Sequence, residues 1–237
     1  CFLEGHLKPD LYTQAYANVV AEPLYIKAYF NSIVTAAIST VLCLLIGYPM
    51  AYGIARSGPT VRNLLMMMII LPFWTSFLIR IYAWIGLLKD HGFINNVLLS
   101  LGVISEPLQM MNTQFAVYVG IVYSYLPFMI LPLYANLEKM DLTLLEAAAD
   151  LGCRPVKAFF RITVPLSFPG IVAGSMLVFI PAVGEYVIPE LLGGSNTVMI
   201  GREIFNVFFQ NRDWPTASAL AIAVLIVLVV PITFYQY

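Results

Sequence analysis

The most visible pattern along the chain is a series of long apolar runs, separated by shorter segments that hold nearly all of the charges. A bilayer core about 30 Å thick requires roughly 20 apolar residues in a helix that rises 1.5 Å per residue. Five segments meet this requirement and are predicted to span a membrane: 29–52, 63–88, 107–137, 166–189 and 214–237. These runs are continuously apolar and lack the alternation of apolar and polar residues that barrel strands show. They therefore favour helices over a β-barrel.

Proline is unusually frequent inside these runs. Inside a helix bundle, neighbouring helices and water can satisfy the carbonyl groups that a proline leaves without a partner. Kinked helices around a central cavity suit a transporter, although they also occur in membrane proteins of other kinds. The prolines concerned are Pro49, Pro72, Pro127, Pro132, Pro181 and Pro231.

The composition agrees with a membrane protein. Of 237 residues only 11 % are charged and 60 % are apolar, whereas an ordinary soluble domain carries about 25 % charged residues. The net charge of −1 provides no basic face for nucleic acid. The predicted fold class is therefore an all-α polytopic membrane protein.

The distribution of Lys and Arg predicts the orientation. The loops 53–62 and 138–165 hold six of them in 38 residues, and the segments 1–28, 89–110 and 190–213 hold five in 74. The denser loops are expected in the cytoplasm, which makes 1–28 a periplasmic segment and 29–237 the transmembrane domain. Since an outside start is unusual, we expect one further helix upstream and six spans in the full-length protein.

The polar segment 141–170 is predicted to contain two short helices. Thr143 and Glu146 have the spacing of a capping box at the start of the first helix. Gly152 stands where a left-handed residue ends a helix, and Pro155 suits the first position of the next one. A rigid helix would therefore project between two spans, either as a partner-binding element or as a well-capped loop without a partner.

The same segment carries a long motif. Glu146-Ala147-Ala148 is followed after three residues by Gly152 and after nine more by the run ITVP (162–165). This resembles the EAA signature of ABC importer permeases, E-A-A-x3-G-x9-I-x-L-P, with Val164 in place of the usual Leu. The resemblance implies a coupling helix that docks into a cytoplasmic ATPase. The residues assigned to coupling are Glu146, Ala147, Ala148, Asp150, Gly152 and Arg154.

Further runs extend the resemblance over nearly the whole chain. The segments 71–84, 120–134, 174–194 and 211–222 are similar to permease subunits of putrescine and spermidine importers, and most similar to a putrescine permease. The resemblance implies the type I ABC importer permease fold in a bacterial inner membrane, working by alternating access. It also implies a second, different permease subunit, an ATPase dimer that uses ATP and Mg, and a periplasmic polyamine-binding protein.

This chain itself shows no catalytic constellation in its sequence. No G-x-x-x-x-G-K-[ST] loop occurs to hold nucleotide phosphates, and the three cysteines and two histidines match no metal-site spacing. We therefore expect no enzyme, no metal and no cofactor in the chain. Energy would come from a partner, through the loop around Glu146.

Ionisable residues inside the spans are candidates for the substrate path. Three stand out: Arg80 in the second span, and Glu185 and Glu190 near the end of the fourth. Counting from the cytoplasmic ends places Arg80 and Glu185 at similar depth. We expect a structural ion pair between Arg80 and one of the two carboxylates, and we favour Glu185 for contact with a substrate ammonium group.

Aromatic side chains could add cation–π contacts of about 0.5–2 kcal/mol each. The alternative for each is helix packing or an aromatic belt at the membrane surface. Trp74 is the preferred cavity residue because it lies in the middle of a predicted span. The candidates are Trp74, Tyr82, Tyr123, Tyr125 and Tyr186.

Two other functions remain open. Similar permeases carry sulfate, iron or other small solutes, although the two intramembrane acids outnumber Arg80 and favour a cation. A passive channel would share the apolar spans but would not need the long cytoplasmic motif.

Overall fold

The computed structural model describes residues 2–3, 6–7, 16, 19–194 and 197–236. Within the predicted segment 1–28, the residues 1, 4–5, 8–15 and 17–18 lie outside the described ones. Two short strands, β1 (Phe2–Leu3) and β2 (His6–Leu7), pair antiparallel, with Phe2 opposite Leu7 and Leu3 opposite His6. The remainder of the described chain is helical or irregular.

Helices occupy the predicted spans and the predicted loop region, in the following order along the chain. The first five are α1 (Pro23–Arg56), α2 (Pro59–Ile70), α3 (Phe77–Leu88), α4 (Phe93–Ser100) and α5 (Gln114–Glu138). The loop region holds α6 (Thr143–Asp150), α7 (Pro155–Ala158) and α8 (Val164–Leu166). The last four are α9 (Phe168–Val183), α10 (Val187–Leu192), α11 (Ile200–Phe205) and α12 (Trp214–Gln236). The all-α polytopic fold is confirmed.

Two helices, α1 and α5, are each long and apolar enough to cross a membrane. Two further candidate spans are bent pairs of helices, each with the geometry of a broken span or a re-entrant loop. Pro59–Trp74 meets Phe77–Ser100 at 94°, and Pro155–Leu166 meets Phe168–Val183 at 64°. The apolar helix α12 occupies the fifth predicted span. The five predicted apolar segments are thus helical, but the second and fourth are not the single straight helices that we expected.

The break in the second span has a local cause. After α2 the chain tightens into a 3₁₀ turn, Leu71–Trp74, which contains Pro72. Thr75 leaves the helical conformation, with φ −93° and ψ 149°, and its hydroxyl donates to the carbonyl oxygen of Pro72 at 2.7 Å. Proline lacks a backbone N–H and interrupts the hydrogen-bond ladder of a helix. The Thr75 hydroxyl satisfies the carbonyl of Pro72 at the point where the chain leaves the helical conformation.

The chain forms two compact units. The first comprises Cys1–Ala37, Ile81–Gly120 and Ile180–Tyr237, and the second comprises Ile38–Arg80 and Ile121–Phe179. In the first unit, buried side chains such as Ile81, Leu192 and Leu220 form the core. In the second, the core joins α1, α5 and α9, through residues such as Cys43, Met129, Leu133 and Val178.

An ion pair in the second unit bears on the orientation. The guanidinium of Arg62, at the start of α2, lies 2.7 Å from the carboxylate of Glu138 at the end of α5. These residues belong to the loops 53–62 and 138–165, which were both predicted to be cytoplasmic. The pair supports their placement on one side of the membrane.

A stability prediction arises from the close packing at Gly201. A Cβ atom at this position would collide with the carbonyl oxygens of Gly184 and Glu185, the latter at 2.6 Å. We expect Gly201→Ala to lower the free energy of unfolding by about 1–3 kcal/mol. The melting temperature of the detergent-solubilised protein would then fall by several degrees, at roughly 2–4 °C per kcal/mol.

Gly86→Ala is the matched control for this substitution. Gly86 is also helical, but a Cβ atom there meets nothing within 4 Å. Alanine forms helix better than glycine, so this variant should melt no lower than the wild type. Equal melting temperatures for both variants would contradict the packing argument.

Candidate functional site

The loop around Glu146 is built as a rigid, exposed element. Helix α6 ends at Gly152, whose φ is +75°. The N–H of Cys153 donates to the carbonyl oxygen of Ala148 at 2.9 Å, and that of Gly152 donates to Ala149 at 2.8 Å. This is the hydrogen-bond pattern of a Schellman motif. The predicted left-handed end at Gly152 is confirmed, as is the start of the next helix at Pro155.

The predicted cap of this helix is wrong. No side-chain hydrogen bond comes from the residue that caps α6, and Thr143 is already its first helical residue. Instead the backbone N–H of Thr143 donates to Oδ1 of Asp141 at 3.0 Å. Aspartate two residues earlier competes well for this role, since its side chain accepts bonds from nearby backbone groups.

The surface of the loop combines charge with apolar side chains. Of the predicted coupling residues, Glu146, Ala147, Asp150, Gly152 and Arg154 are exposed and Ala148 is buried. Leu151 is 89 % exposed and Val156 is 69 % exposed. An exposed apolar patch with a polar rim is typical of a protein-binding surface. The geometry therefore suits docking of a partner.

A cavity of about 520 Å³ lies in the second unit. Helices α1, α2 and α5 supply most of its walls, which are almost entirely apolar. Three of the helix prolines that the sequence analysis singled out line it. The lining residues include Pro49, Gly53, Met68, Pro72, Arg80, Tyr123 and Pro127. Apart from the prolines, Arg80 and Tyr123, the lining residues were not predicted, because apolar residues that face a cavity have the same sequence pattern as those that face lipid.

Arg80 supplies the cavity's single charged side chain among the described residues. Its guanidinium carbon lies 5.2 Å from the ring centre of Phe73 and 5.8 Å from that of Phe77. Its Nε atom is buried and has no hydrogen-bond partner among the described residues. Aromatic faces thus replace part of the water that this cation would otherwise bind.

Glu185 lies in the short link between α9 and α10 and is only 8 % exposed. Its Oε1 atom accepts hydrogen bonds from the N–H groups of Val187 at 3.0 Å and Ile188 at 3.4 Å. A carboxylate at the start of a helix satisfies free N–H groups and interacts favourably with the helix dipole. The sequence analysis missed this capping role, because it placed Glu185 inside a continuous helix.

Glu190 pairs with Arg202 and not with Arg80, the partner considered in the sequence analysis. Its Oε2 atom lies 2.6 Å from Nε of Arg202, and both side chains are partly exposed. The pairing of Arg80 with Glu185 stays a prediction. The depth count behind it assumed two unbroken helices, whereas the chain leaves the helical conformation at Thr75 and at Gly184.

The predicted aromatic residues fall into distinct environments. Tyr123 lines the cavity, whereas Tyr125 packs against the core of the second unit. Tyr186 stacks on Phe205, with ring centres 4.0 Å apart. Trp74 is 84 % exposed and Tyr82 is 59 % exposed, so neither is enclosed by its own chain. Tyr123 is therefore the aromatic candidate that the structure places beside a cavity.

The carboxylate of Glu203, which follows Arg202 in the chain, provides a prediction about the pH dependence of stability. Burial raises the pKa of Glu203 in α11; the Arg202 guanidinium opposes this rise and Glu190 adds to it. A raised pKa in the folded state means that ionised Glu203 destabilises the protein at neutral pH, and that the cost disappears as the pH falls below its ordinary value. We expect Glu203→Gln to raise the melting temperature at pH 7.5.

The pH profile of this variant contains its own control. At pH 4 the wild-type carboxyl is largely protonated, so wild type and variant should melt at nearly the same temperature. A difference of equal size at both pH values would show that the glutamine acts through packing or hydrogen bonding, without contribution from the charge.

The apolar helices and the exposed loop agree with a membrane permease. Residues 43–237 match the family described as the binding-protein-dependent transport system inner membrane component, and the chain belongs to this family. It is therefore a component of a transport system and not an enzyme.

Several relatives are closely similar to the chain. The spermidine/putrescine transport system permease protein PotB of Haemophilus influenzae is 43 % identical, over 93 % of this chain and 77 % of the relative. PotB of Escherichia coli K12 is 45 % identical, over 87 % of this chain and 75 % of the relative. The molybdenum transport system permease protein ModB of Mycobacterium bovis is 31 % identical over 89 % and 78 %.

Solved structures share the fold at lower identity. A bacterial ABC transporter that imports the acidic polysaccharide alginate matches with a TM-score of 0.73 at 20 % identity, over 97 % of this chain and 83 % of that one. The alginate transporter in complex with its pentasaccharide-bound periplasmic protein matches with a TM-score of 0.75 at 17 % identity, over 94 % and 82 %. These two structures establish the ABC importer permease fold.

Proposed function

We propose that this chain is a transmembrane permease subunit of an ATP-driven polyamine importer in a bacterial inner membrane. The relatives at 43–45 % identity, which are spermidine/putrescine permeases, support the cargo. The observation that carries the coupling to ATP is the exposed, rigid helix α6, whose end is held by the two hydrogen bonds at Gly152 and Cys153. A helix held in this way can transmit a displacement without unwinding.

The proposed assembly contains four kinds of subunit. A cytoplasmic ATPase dimer, which binds ATP and Mg, docks on the surface that holds Glu146 and Leu151. A second permease completes the translocation path, and a periplasmic binding protein delivers the polyamine. The alginate transporter that shares the fold was solved with its own periplasmic protein, which supports this division of labour.

The cavity of the second unit and Glu185 of the first unit are each suited to a different chemical feature of the cargo. A polyamine combines apolar methylene groups with terminal ammonium groups. The apolar wall around Pro49 and Pro127 suits the methylene chain, and a carboxylate replaces water around an ammonium group. Closure of the ATPase pair would open the cavity outward, and ATP hydrolysis would reset it.

One observation favours a second candidate cargo. Within the described residues, the charge beside the cavity is the cation of Arg80, which would attract an anion. The relative at 31 % identity is a molybdenum permease, so an oxyanion such as molybdate or sulfate is the alternative.

Reconstitution distinguishes these possibilities. The full-length chain is purified with its second permease and ATPase, placed in proteoliposomes and supplied with the binding protein. We expect ATP-dependent uptake of radiolabelled putrescine or spermidine, and no uptake of molybdate or sulfate. Uptake of an oxyanion alone would overturn the polyamine proposal, and solute flux without ATP would indicate a channel.

A further inference from the structure

Phe159 connects the segment after the loop helix to the long helix α1. Its ring meets those of Tyr48 and Tyr52 edge-on, with ring centres 5.6 Å and 5.7 Å apart and interplanar angles of 89° and 88°. The two tyrosines are one helical turn apart, so they lie on the same face of α1. All three residues belong to the second unit. Phe159 therefore sits against two successive turns of α1.

A hydrogen bond holds the far end of the same segment. The hydroxyl groups of Tyr48 and Ser167 lie 2.8 Å apart and are buried, and the Ser167 hydroxyl also contacts the carbonyl oxygen of Val164 at 2.9 Å. Between Phe159 and Ser167 the chain passes through a π-helical turn, Phe159–Thr163. Such turns are frequent at functional sites in helices. The segment is thus attached to α1 at both ends.

Arg56 extends this contact toward the end of α1. Its guanidinium carbon lies 5.2 Å from the ring centre of Tyr52. Its Nε and Nη2 atoms are buried, without a hydrogen-bond partner in the described part of the chain. The ring of Tyr52 is thereby held by a cation as well as by the edge of Phe159.

The next face of the same helix forms a wall of the cavity. Pro49 and Gly53 of α1 line the cavity, and they directly follow Tyr48 and Tyr52 in the chain. Ser57, which also lines the cavity, comes directly after the end of α1 at Arg56. One residue corresponds to a rotation of about 100° around a helix. Because Tyr52 and Gly53 are adjacent residues of one helix, a displacement imposed on the tyrosine face also displaces the cavity wall.

We propose that Phe159 is a positioning residue that transmits movement of the loop helix α6 to α1 and to the wall of the cavity. Only six residues separate Phe159 from Gly152, and helix α7 occupies most of them. Movement of α6 is therefore passed to Phe159 over a short, structured connection. This inference rests on the proposed ATP-driven function, but not on the identity of the cargo.

The test measures the cavity wall directly. A reporter cysteine is introduced by Ser57→Cys in a background that carries Cys1→Ser and Cys153→Ser; Cys43 is fully buried and is kept. The reconstituted complex is labelled with a membrane-impermeant maleimide, without nucleotide and after trapping with ATP and vanadate. We expect the labelling rate to differ by at least about fivefold between the two states with Phe159, and to be the same in both states with Phe159→Ala.

Two further variants complete the experiment. Phe168→Ala removes an aromatic ring that is 55 % exposed in the same region, and it should retain the state-dependent labelling. Phe159→Leu keeps most of the side-chain volume but loses the edge-on contacts between aromatic rings. If the complex with Phe159→Ala does not assemble, the labelling rates of Phe159→Leu test the role of Phe159. The ATPase should co-purify with Phe159→Leu at the wild-type level and hydrolyse ATP without transport.

The outcomes separate this inference from the proposed cargo. State-dependent labelling in both Phe159 variants, or none in the parent protein, overturns the role of Phe159. If the parent shows state-dependent labelling but no polyamine uptake, the cargo proposal fails. In that case loss of the labelling difference in Phe159→Leu still supports the positioning role.

Discussion

Glu185→Gln is expected to abolish most polyamine uptake while leaving the fold intact. A glutamine Oε1 atom can still accept the hydrogen bonds from Val187 and Ile188, so the start of α10 is preserved. The negative charge, however, is lost. A hydrogen bond to a charged group contributes about 1.5–3 kcal/mol, which corresponds to a roughly 10- to 150-fold lower uptake rate. The measurement is the initial rate of ATP-dependent putrescine or spermidine uptake into proteoliposomes.

Two comparisons make this result interpretable. Glu190→Gln removes a carboxylate that is partly exposed and paired with Arg202, and it should reduce uptake far less. Glu185→Ala removes the cap together with the charge, and it should also lower the melting temperature, by an amount equivalent to about 1 kcal/mol. Wild-type uptake by Glu185→Gln would show that this residue acts as a helix cap and does not bind the substrate.

The second large effect is expected at Gly152. Its φ of +75° costs a side chain roughly 1–2 kcal/mol in the left-handed region, and a β-branched residue more. Gly152→Val should therefore distort the end of α6, including the hydrogen bond between Cys153 and Ala148. We expect the amount of ATPase that co-purifies with the chain, and the uptake rate, to fall by about tenfold or more.

The chain offers a closely matched control for this substitution. Gly102 has a φ of +68°, and no atom lies within 4 Å of a Cβ atom built at either glycine. The N–H groups of Gly102 and Val103 also bond back to Leu99 and Leu98, in the same pattern as at Gly152. Gly102→Val carries the same strain in a segment predicted to be periplasmic, so ATPase binding should be unchanged. Gly152→Asn should be intermediate, because asparagine tolerates this conformation.

Equal loss of ATPase binding in the Gly102 and Gly152 variants would contradict the docking role of the loop. It would instead indicate that strain at either position lowers the stability of the whole protein. Melting temperatures measured on the same samples would show that loss of stability directly.

The sequence was informative wherever a local rule was sufficient. The end of α6 at Gly152 and the start of α7 at Pro155 follow from backbone conformations that those two residue types favour. The choice of cap was less certain, since Asp141 and Thr143 both carry a suitable oxygen and stand two residues apart. Only the backbone path determines which oxygen reaches the free N–H group.

For the residues of the substrate path, local sequence rules were not sufficient. Depth counts for Arg80 and Glu185 required straight helices. The extended backbone of Thr75 and the non-helical link at Gly184 interrupt these helices. Nothing local distinguishes Tyr123, which lines the cavity, from Tyr125, which packs in the core. They lie two residues apart on one helix, so the partners of each face determine the difference.

By itself, the sequence determined the membrane location, the helical class, the approximate spans and the motif in the loop 138–165. These properties follow from composition, from run length and from local backbone preferences, which act over a few residues. The tertiary structure alone decided the breaks in two spans, the cap made by Glu185, the pairing of Glu190 with Arg202 and the contact of Phe159 with α1. These depend on which distant side chains meet, because apolar residues in a membrane helix look alike whether they face lipid, a cavity or another helix.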